Sequence, residues 1–269
     1  MAGAASAPHP PRRKRFGQHF LHDPHVLARI VRALDPRPGD HLVEIGPGRG
    51  ALTAHLLECR GCTLDAIEID RDLAARLRER FAPAVHWALH EADALRFDFQ
   101  ALARERGGRL RVVGNLPYNI STPLLFHLLA AAPTLVDLTL MLQREVVARL
   151  AARPGERDYG RLTVMLAPAA EVERLFDVGP GAFQPPPRVW SAVVRLRMRA
   201  APLFAVSPQY AAVVAAAFAQ RRKTLRNALS QQLTREQISA CGIDPAARPG
   251  TLTPQGFNTL AQALDRARR

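Results

Sequence analysis

Three apolar runs in this sequence stop at groups that commonly hold ligands, and a fourth stops at an amide followed closely by a proline and a ring. VEIGPGRGALT places Gly46, Gly48 and Gly50 directly after the run HLVEI and just before a helical pattern. Glycines there let the main chain pass close to a ligand and offer helix-terminal N–H groups. Glu68 stands near the end of TLDAIEI, about 20 residues on, where an acid can accept from ribose hydroxyls. Asp93, in EADAL, follows VHWAL, and Asn115 ends LRVVGN before Leu116, Pro117 and Tyr118. The glycine spacing is G-x-G-x-G, not the G-x-G-x-x-G of a dinucleotide fingerprint. The set suits an adenosyl cofactor with no pyrophosphate to cradle. Asn and Pro are also common turn residues, so NLPY by itself is compatible with a plain turn as well as a binding loop.

These residues need strands that end side by side. Strand-like runs alternate with helical patterns over the first two hundred residues, which predicts βαβ units and a parallel sheet. The candidates are 41–45, 63–69, 85–89, 110–115, 136–142, a run near TVMLAPA (163–169) and SAVVRLR (191–197), seven in all. ALTAHLLE, DLAARLRERF and STPLLFHLLA show helical spacing between them, and ligands of such sheets bind at the carboxyl ends of the strands. After about Ala200 the strand pattern stops. Ser207-Pro208 opens an alanine-rich helix that runs toward QRRKTLRNAL, and Thr253-Pro254 starts another. The expected organisation is a tail over 1–11, a main α/β domain over 12–200 and a small helical domain over 201–269.

The 269 residues, 48% hydrophobic, suffice for a full core. No uncharged apolar stretch reaches the roughly 18 residues needed to span a bilayer, and MAGAASAPHPPRRKRF lacks the apolar middle of a secretory signal; a cytoplasmic, membrane-independent protein is expected. Cys59 and Cys62 form a C-x-x-C pair without a second pair or a well-spaced histidine, so they and Cys241 read as buried or free thiols, not as a metal site. The net charge of +13 points to a polyanionic partner. From Val178 through Arg235 there is no acid, while Arg188, Arg195, Arg197, Arg199, Arg221, Arg222, Lys223, Arg226 and Arg235 all fall inside. One-signed charge of that length reads as a phosphate-facing surface.

In order along nearly the whole chain, RKRFGQHFL (13–21), VEIGPGRGALT (43–53), AIEID (66–70), EADAL (91–95), GNLPYNISTPLL (114–125), MLQREV (141–146), YGRLTV (159–164), FQPPPRVWSAVVRL (183–196) and FAQRRKTLRNAL (218–229) resemble the ribosomal RNA adenine dimethyltransferases of the KsgA type. These are class I S-adenosylmethionine-dependent methyltransferases. The resemblance implies a Rossmann-like, seven-stranded, mostly parallel sheet with helices on both faces. It also implies S-adenosylmethionine contacts from His19, Leu21, Gly46, Glu68, Asp93 and Asn115. Position 19 is Asn in some relatives and His here.

The implied reaction dimethylates N6 of two adjacent adenosines near the 3′ end of small-subunit ribosomal RNA, in an immature small subunit, and yields S-adenosylhomocysteine. A sulfonium methyl is already activated, so no metal is implied. The acceptor N6 is a poor nucleophile because its lone pair is delocalised into the ring. The Asn115 side-chain oxygen and the Leu116 carbonyl can accept its two N–H bonds and favour the pyramidal amine. Tyr118 can stack on the base, at roughly 1–3 kcal/mol, with Phe183 on the opposite face of a base taken out of its stack. Arg221, Arg222, Lys223 and Arg226 are expected to dock RNA, and the enzyme is expected to be a monomer. Two rivals share features with this reading: an Erm-type enzyme acting on large-subunit RNA, and an RNA-binding assembly factor that keeps the fold without needing the activity.

Overall fold

The structure, a computed structural model, describes residues 19–268; residues 13–18 of the amino-terminal motif and the expected tail lie outside the described residues. The first half of the chain runs β1 (Phe20–Leu21), α1 (Pro24–Leu34), β2 (His41–Ile45), α2 (Ala51–Leu56), β3 (Thr63–Glu68), α3 (Arg71–Phe81), β4 (Trp87–Glu91), α4 (Phe99–Arg106), β5 (Leu110–Asn115) and α5 (Ser121–Ala130). It continues with β6 (Leu135–Gln143), α6 (Arg144–Ala151), α7 (Arg161–Leu166), β7 (Ala170–Val178), β8 (Phe183–Gln184) and β9 (Ser191–Met198). Four helices follow: α8 (Tyr210–Ala219), α9 (Leu225–Ala228), α10 (Arg235–Ala240) and α11 (Pro254–Arg268).

Seven strands form one sheet in the order β4-β3-β2-β5-β6-β9-β7. The first five are parallel, and β9 runs antiparallel to both β6 and β7. This is the class I methyltransferase architecture expected from the alternating pattern. The chain winds outward from β2 through β3 to β4, then returns to the other side of β2 for β5 and β6. Connections from β2 and β5 therefore leave in opposite directions, and a crevice opens at their carboxyl ends.

Strand residues alternate between the two faces. Val43, Ile45, Val112 and Leu140 pack with Phe99 and Leu102 of α4 and Leu124, Leu125 and Leu128 of α5. Leu42, Val113, Met141 and Val193 pack with Leu27, Ile30 and Leu34 of α1 and Leu52 and Leu56 of α2. The period of two sends successive side chains to opposite helical layers. Aspartates start several of the helices: Asp23, Asp70 and Asp98 accept from main-chain N–H groups in the first turns of α1, α3 and α4.

The run 163–169 is not a strand. Residues 161–166 form α7, which buries Thr163, Val164 and Leu166, and the seventh strand is β7, over AEVERLFDV. Its alternation is weak because it sits at the sheet edge and bears a register irregularity between Arg174 and Phe176. Its acids face the neighbouring β9: Glu173 pairs with Arg195 and Arg197, and Glu171 with Arg199. Three of the cations in the acid-free run are thus answered by acids from another strand. The reading of Cys59 and Cys62 as separate thiols is also corrected. A turn in which the Cys62 N–H donates to the Cys59 carbonyl brings them together, and they form a disulfide with Cα atoms 5.8 Å apart.

A third cluster gathers Tyr210, Val213 and Val214 of α8, Leu225 and Leu229 around α9, Ile238 of α10 and Phe257, Leu260 and Leu264 of α11. Tyr159 and Val164 join it from the preceding segment; the Tyr159 hydroxyl donates to the Leu252 carbonyl at 2.7 Å and that of Tyr210 to the Val164 carbonyl at 2.8 Å. The alanine-rich helix stops at Ala219, so Arg221, Arg222 and Lys223 occupy a turn and do not continue its spacing.

Candidate active site

An open cleft lies at the β2/β5 crevice. It is lined by His19, Phe20 and Leu21, by the loop Gly46–Arg49, by Gly114–Tyr118, and by Glu44, Thr139 and Met141 from the strands beneath. Sequence-distant segments meet here because β2, β5 and β6 end side by side.

The glycines have separate reasons. Gly46, Gly48 and Gly50 all have positive φ, the left-handed region that favours glycine. At Gly48 a Cβ would also stand 3.0 Å from the Phe20 ring, which folds onto the loop. Gly114 is excluded from carrying a side chain by contact alone: a Cβ would lie 2.5 Å from the Ile45 carbonyl oxygen. The loop N–H groups hold it in place, with Gly46 donating to the Ile67 carbonyl at 2.9 Å and Gly48 to the Glu68 carboxylate at 3.1 Å.

Glu68 is 2% exposed and does not itself line the cleft; it stands behind Gly48, and its other oxygen accepts from the Asp70 N–H at 3.0 Å. Burial pushes its carboxyl above the ordinary range, against the pull of those N–H groups. Asp93 also lies outside the cleft lining, half-buried, with one oxygen accepting from the Leu95 N–H.

The β5 end is tied to the amino-terminal segment. Asn115 donates through Nδ2 to the His19 carbonyl at 2.9 Å, which leaves Oδ1 as the acceptor end of the amide. His19 Nδ1 lies 2.7 Å from the Pro185 carbonyl oxygen, and β1 pairs antiparallel with β8, Leu21 opposite Phe183. Leu116 lines the cleft at 1% exposure. The Tyr118 hydroxyl is 2.7 Å from Ser191 Oγ, and its ring centroid is 5.9 Å from that of His19; burial raises the pKa of this hydroxyl.

Phe183 is not among the residues that line the cleft. It is 3% exposed and packs in the core with Leu21, Ala182 and Val193, because the apolar residue of the two-residue strand β8 turns inward while Gln184 turns out. Arg221, Arg222, Lys223 and Arg226 are exposed and are not among the residues that line the cleft. No group of three or more metal-ligating side chains occurs among the described residues.

Sequence reasoning passed over Glu44. This acid lies in the buried strand β2, accepts from Thr53 Oγ1 at 2.6 Å and lines the cleft. Burial, with Glu68 nearby, raises its pKa to about 7 despite the Thr53 hydrogen bond. A single acid inside an apolar run, HLVEI, was the available signal. Thr139 was passed over as well; its Oγ1 is buried at the cleft without a partner among the described residues.

Over residues 11–266 the chain matches the family described as ribosomal RNA adenine dimethylase. It is 56% identical over 253 residues to the ribosomal RNA small subunit methyltransferase A of Nitrosococcus oceani, covering 93% of this chain and 95% of that protein. Identity to the protein of the same name from Pseudomonas aeruginosa is 54% over 254 residues, covering 94% of each. Among solved structures, the 23S rRNA methyltransferase ErmE aligns with a TM-score of 0.70 at 31% identity, covering 91% of this chain and 99% of that one. A dimethyladenosine transferase from Plasmodium falciparum shares the fold, with a TM-score of 0.80 at 23% identity over 92% of this chain and 98% of that one. The match across almost the entire described chain, on a sheet whose crevice joins the glycine loop to Asn115, establishes that this protein belongs to the ribosomal RNA adenine dimethylase family.

Proposed function

We propose that this protein transfers methyl groups from S-adenosylmethionine to N6 of two adjacent adenosines near the 3′ end of small-subunit ribosomal RNA. The observation that carries the choice of substrate is the identity gradient: relatives named for the small subunit stand at 56% and 54%, and the large-subunit enzyme ErmE at 31%.

The cleft suits the cofactor. Positive-φ glycines border a crevice at strand ends, Thr139 Oγ1 offers a buried polar atom without a partner among the described residues, and Glu44 and Glu68 supply acids near a ligand that bears positive charge. Glu68 retains lone pairs for ribose hydroxyls beyond its two N–H partners. When bound, S-adenosylmethionine supplies the electrophilic methyl group. The chain's own task is to present the amine. Asn115, oriented by the His19 carbonyl, accepts one N6–H through Oδ1, and the Leu116 carbonyl accepts the other. Pro117 contributes no N–H and stiffens the turn. Tyr118, held through Ser191, offers its ring to the base. We assign RNA docking to the carboxyl-terminal helical segment, through Arg221, Arg222, Lys223 and Arg226.

The test is incubation of the protein with labelled S-adenosylmethionine and undermethylated small ribosomal subunits, followed by mass spectrometry of the digested RNA. N6,N6-dimethyladenosine at two adjacent positions is expected. Label confined to large-subunit RNA would move the assignment to the Erm type; binding without label would leave an assembly factor.

A further inference from the structure

Beyond the ring proposed for the target base stands a second aromatic side chain that the reaction does not use. Trp190 is 49% exposed and follows Val189, itself 43% exposed. Isolated apolar residues on a surface are ordinary, but this tryptophan is mounted. Its carbonyl accepts from the Arg144 N–H at 2.9 Å, at the start of α6, and the next residue is Ser191, whose hydroxyl holds Tyr118. The Arg144 guanidinium lies 5.8 Å from the indole centroid. The six-membered ring lies beside Gly179, where a Cβ would stand 3.6 Å from it in ordinary contact. Arg144 and Arg188 have no acid partner among the described residues. Because β9 runs antiparallel to β6, its first residues lie at the same end of the sheet as Asn115.

We infer that Trp190 is a stacking platform for an RNA base flanking the target adenosine, with Arg144 supplying positive charge beside it. A flat ring with a neighbouring cation and a fixed main chain suits an unpaired nucleotide: the ring takes the base face, and the guanidinium attracts the phosphate. Little freedom is lost on binding, since the Trp190 carbonyl is already tied to α6. Trp190 binds and positions; it is not placed among the reacting atoms. The inference rests on the RNA-methylation reading and deepens it.

Two measurements test it. In methyl-transfer kinetics with small ribosomal subunits, Trp190→Ala is expected to raise KM about tenfold, within what one base stack is worth, with kcat little changed, and Trp190→Phe to recover most of the loss. A purely structural role, in which the indole only props Ser191 and Tyr118, predicts a lower kcat and melting temperature at unchanged KM; that result would overturn the inference. In the second measurement, oligoadenylate is expected to quench the emission of the unmodified protein but not that of Trp190→Phe, which keeps Trp87. Equal quenching in both, or none in either, also overturns it. So does quenching of Trp190 by RNA-free ribosomal protein and not by oligoadenylate, which would make the surface a protein contact. Failure of the unmodified enzyme to methylate small subunits would count against the function proposed above, while the oligoadenylate titration would still report on Trp190 alone.

Discussion

Replacing Glu44 by Gln changes one proton-binding group under the cleft and almost nothing of its shape. Oε2 of Glu44 accepts from Thr53 Oγ1 at 2.6 Å, and the amide oxygen of Gln can do the same. In the folded protein Glu44 titrates at about 7, raised by burial from 4.5. Between those values the folded state holds a proton that the unfolded chain has released, so stability falls as pH rises through the window. At about 1.4 kcal/mol per pH unit, the loss comes to roughly 3 kcal/mol. It is absent below the lower value and complete above the upper one. Gln does not titrate, and Glu44→Gln should therefore gain about 3 kcal/mol relative to the unmodified protein between pH 4.5 and pH 8. Urea unfolding of both proteins at the two pH values measures this, because contributions from groups that do not interact with Glu44 cancel in the difference. A difference independent of pH would refute the argument and place the ionised carboxylate in a compensating environment.

Three further outcomes are expected. Arg111 donates to Asp40 and Asp137 and to the carbonyls of Leu34 and Asp35 at the start of β5; Arg111→Ala strands those partly buried acids and should cost about 3–5 kcal/mol in urea unfolding, with cofactor affinity by calorimetry unaffected because the cleft is at the other end of the strand. Tyr118→Phe keeps the ring and removes the bond to Ser191, so methyl transfer should fall by up to about tenfold, less than in Tyr118→Ala. Replacing Arg221, Arg222 and Lys223 together by Gln should leave cofactor affinity intact and flatten the slope of log RNA affinity against log salt by about one unit per lost phosphate contact.

The sheet was readable because its central strands are short, β-branched and buried on both faces: 41–45 and 110–115 match β2 and β5 residue for residue. The edge was not. β7 carries Glu171, Glu173 and Arg174 on a half-solvated strand, and its charges obscure the period that burial imposes on β5. In the site, the spacing of glycines, acids and Asn115 pointed to the sheet end where the cleft lies. What spacing could not convey was depth. It gave Glu68 and Asp93 cofactor contacts without showing that both lie outside the cleft lining, and it gave Phe183 an exposed face that the inward turn of β8 denies it. Glu44 escaped notice because it sits within a strand, where an acid reads as an interruption of the pattern.

Beside the cleft, a clasp joins segments from opposite ends of the sheet's sequence. His19 and Pro185, 166 residues apart, meet at 2.7 Å, and the same segment steadies Asn115. A chain emerging from the ribosome at roughly 5–20 residues per second therefore makes its glycine loop and GNLPY turn several seconds before the strand that fastens β1 exists. Until β8 arrives, the amino-terminal segment has no edge to pair with and the Asn115 amide lacks the settled carbonyl that orients it. Completion of the cleft is in this sense a late event in the life of the nascent chain. The enzyme's readiness is timed by the synthesis of its own carboxyl-terminal third.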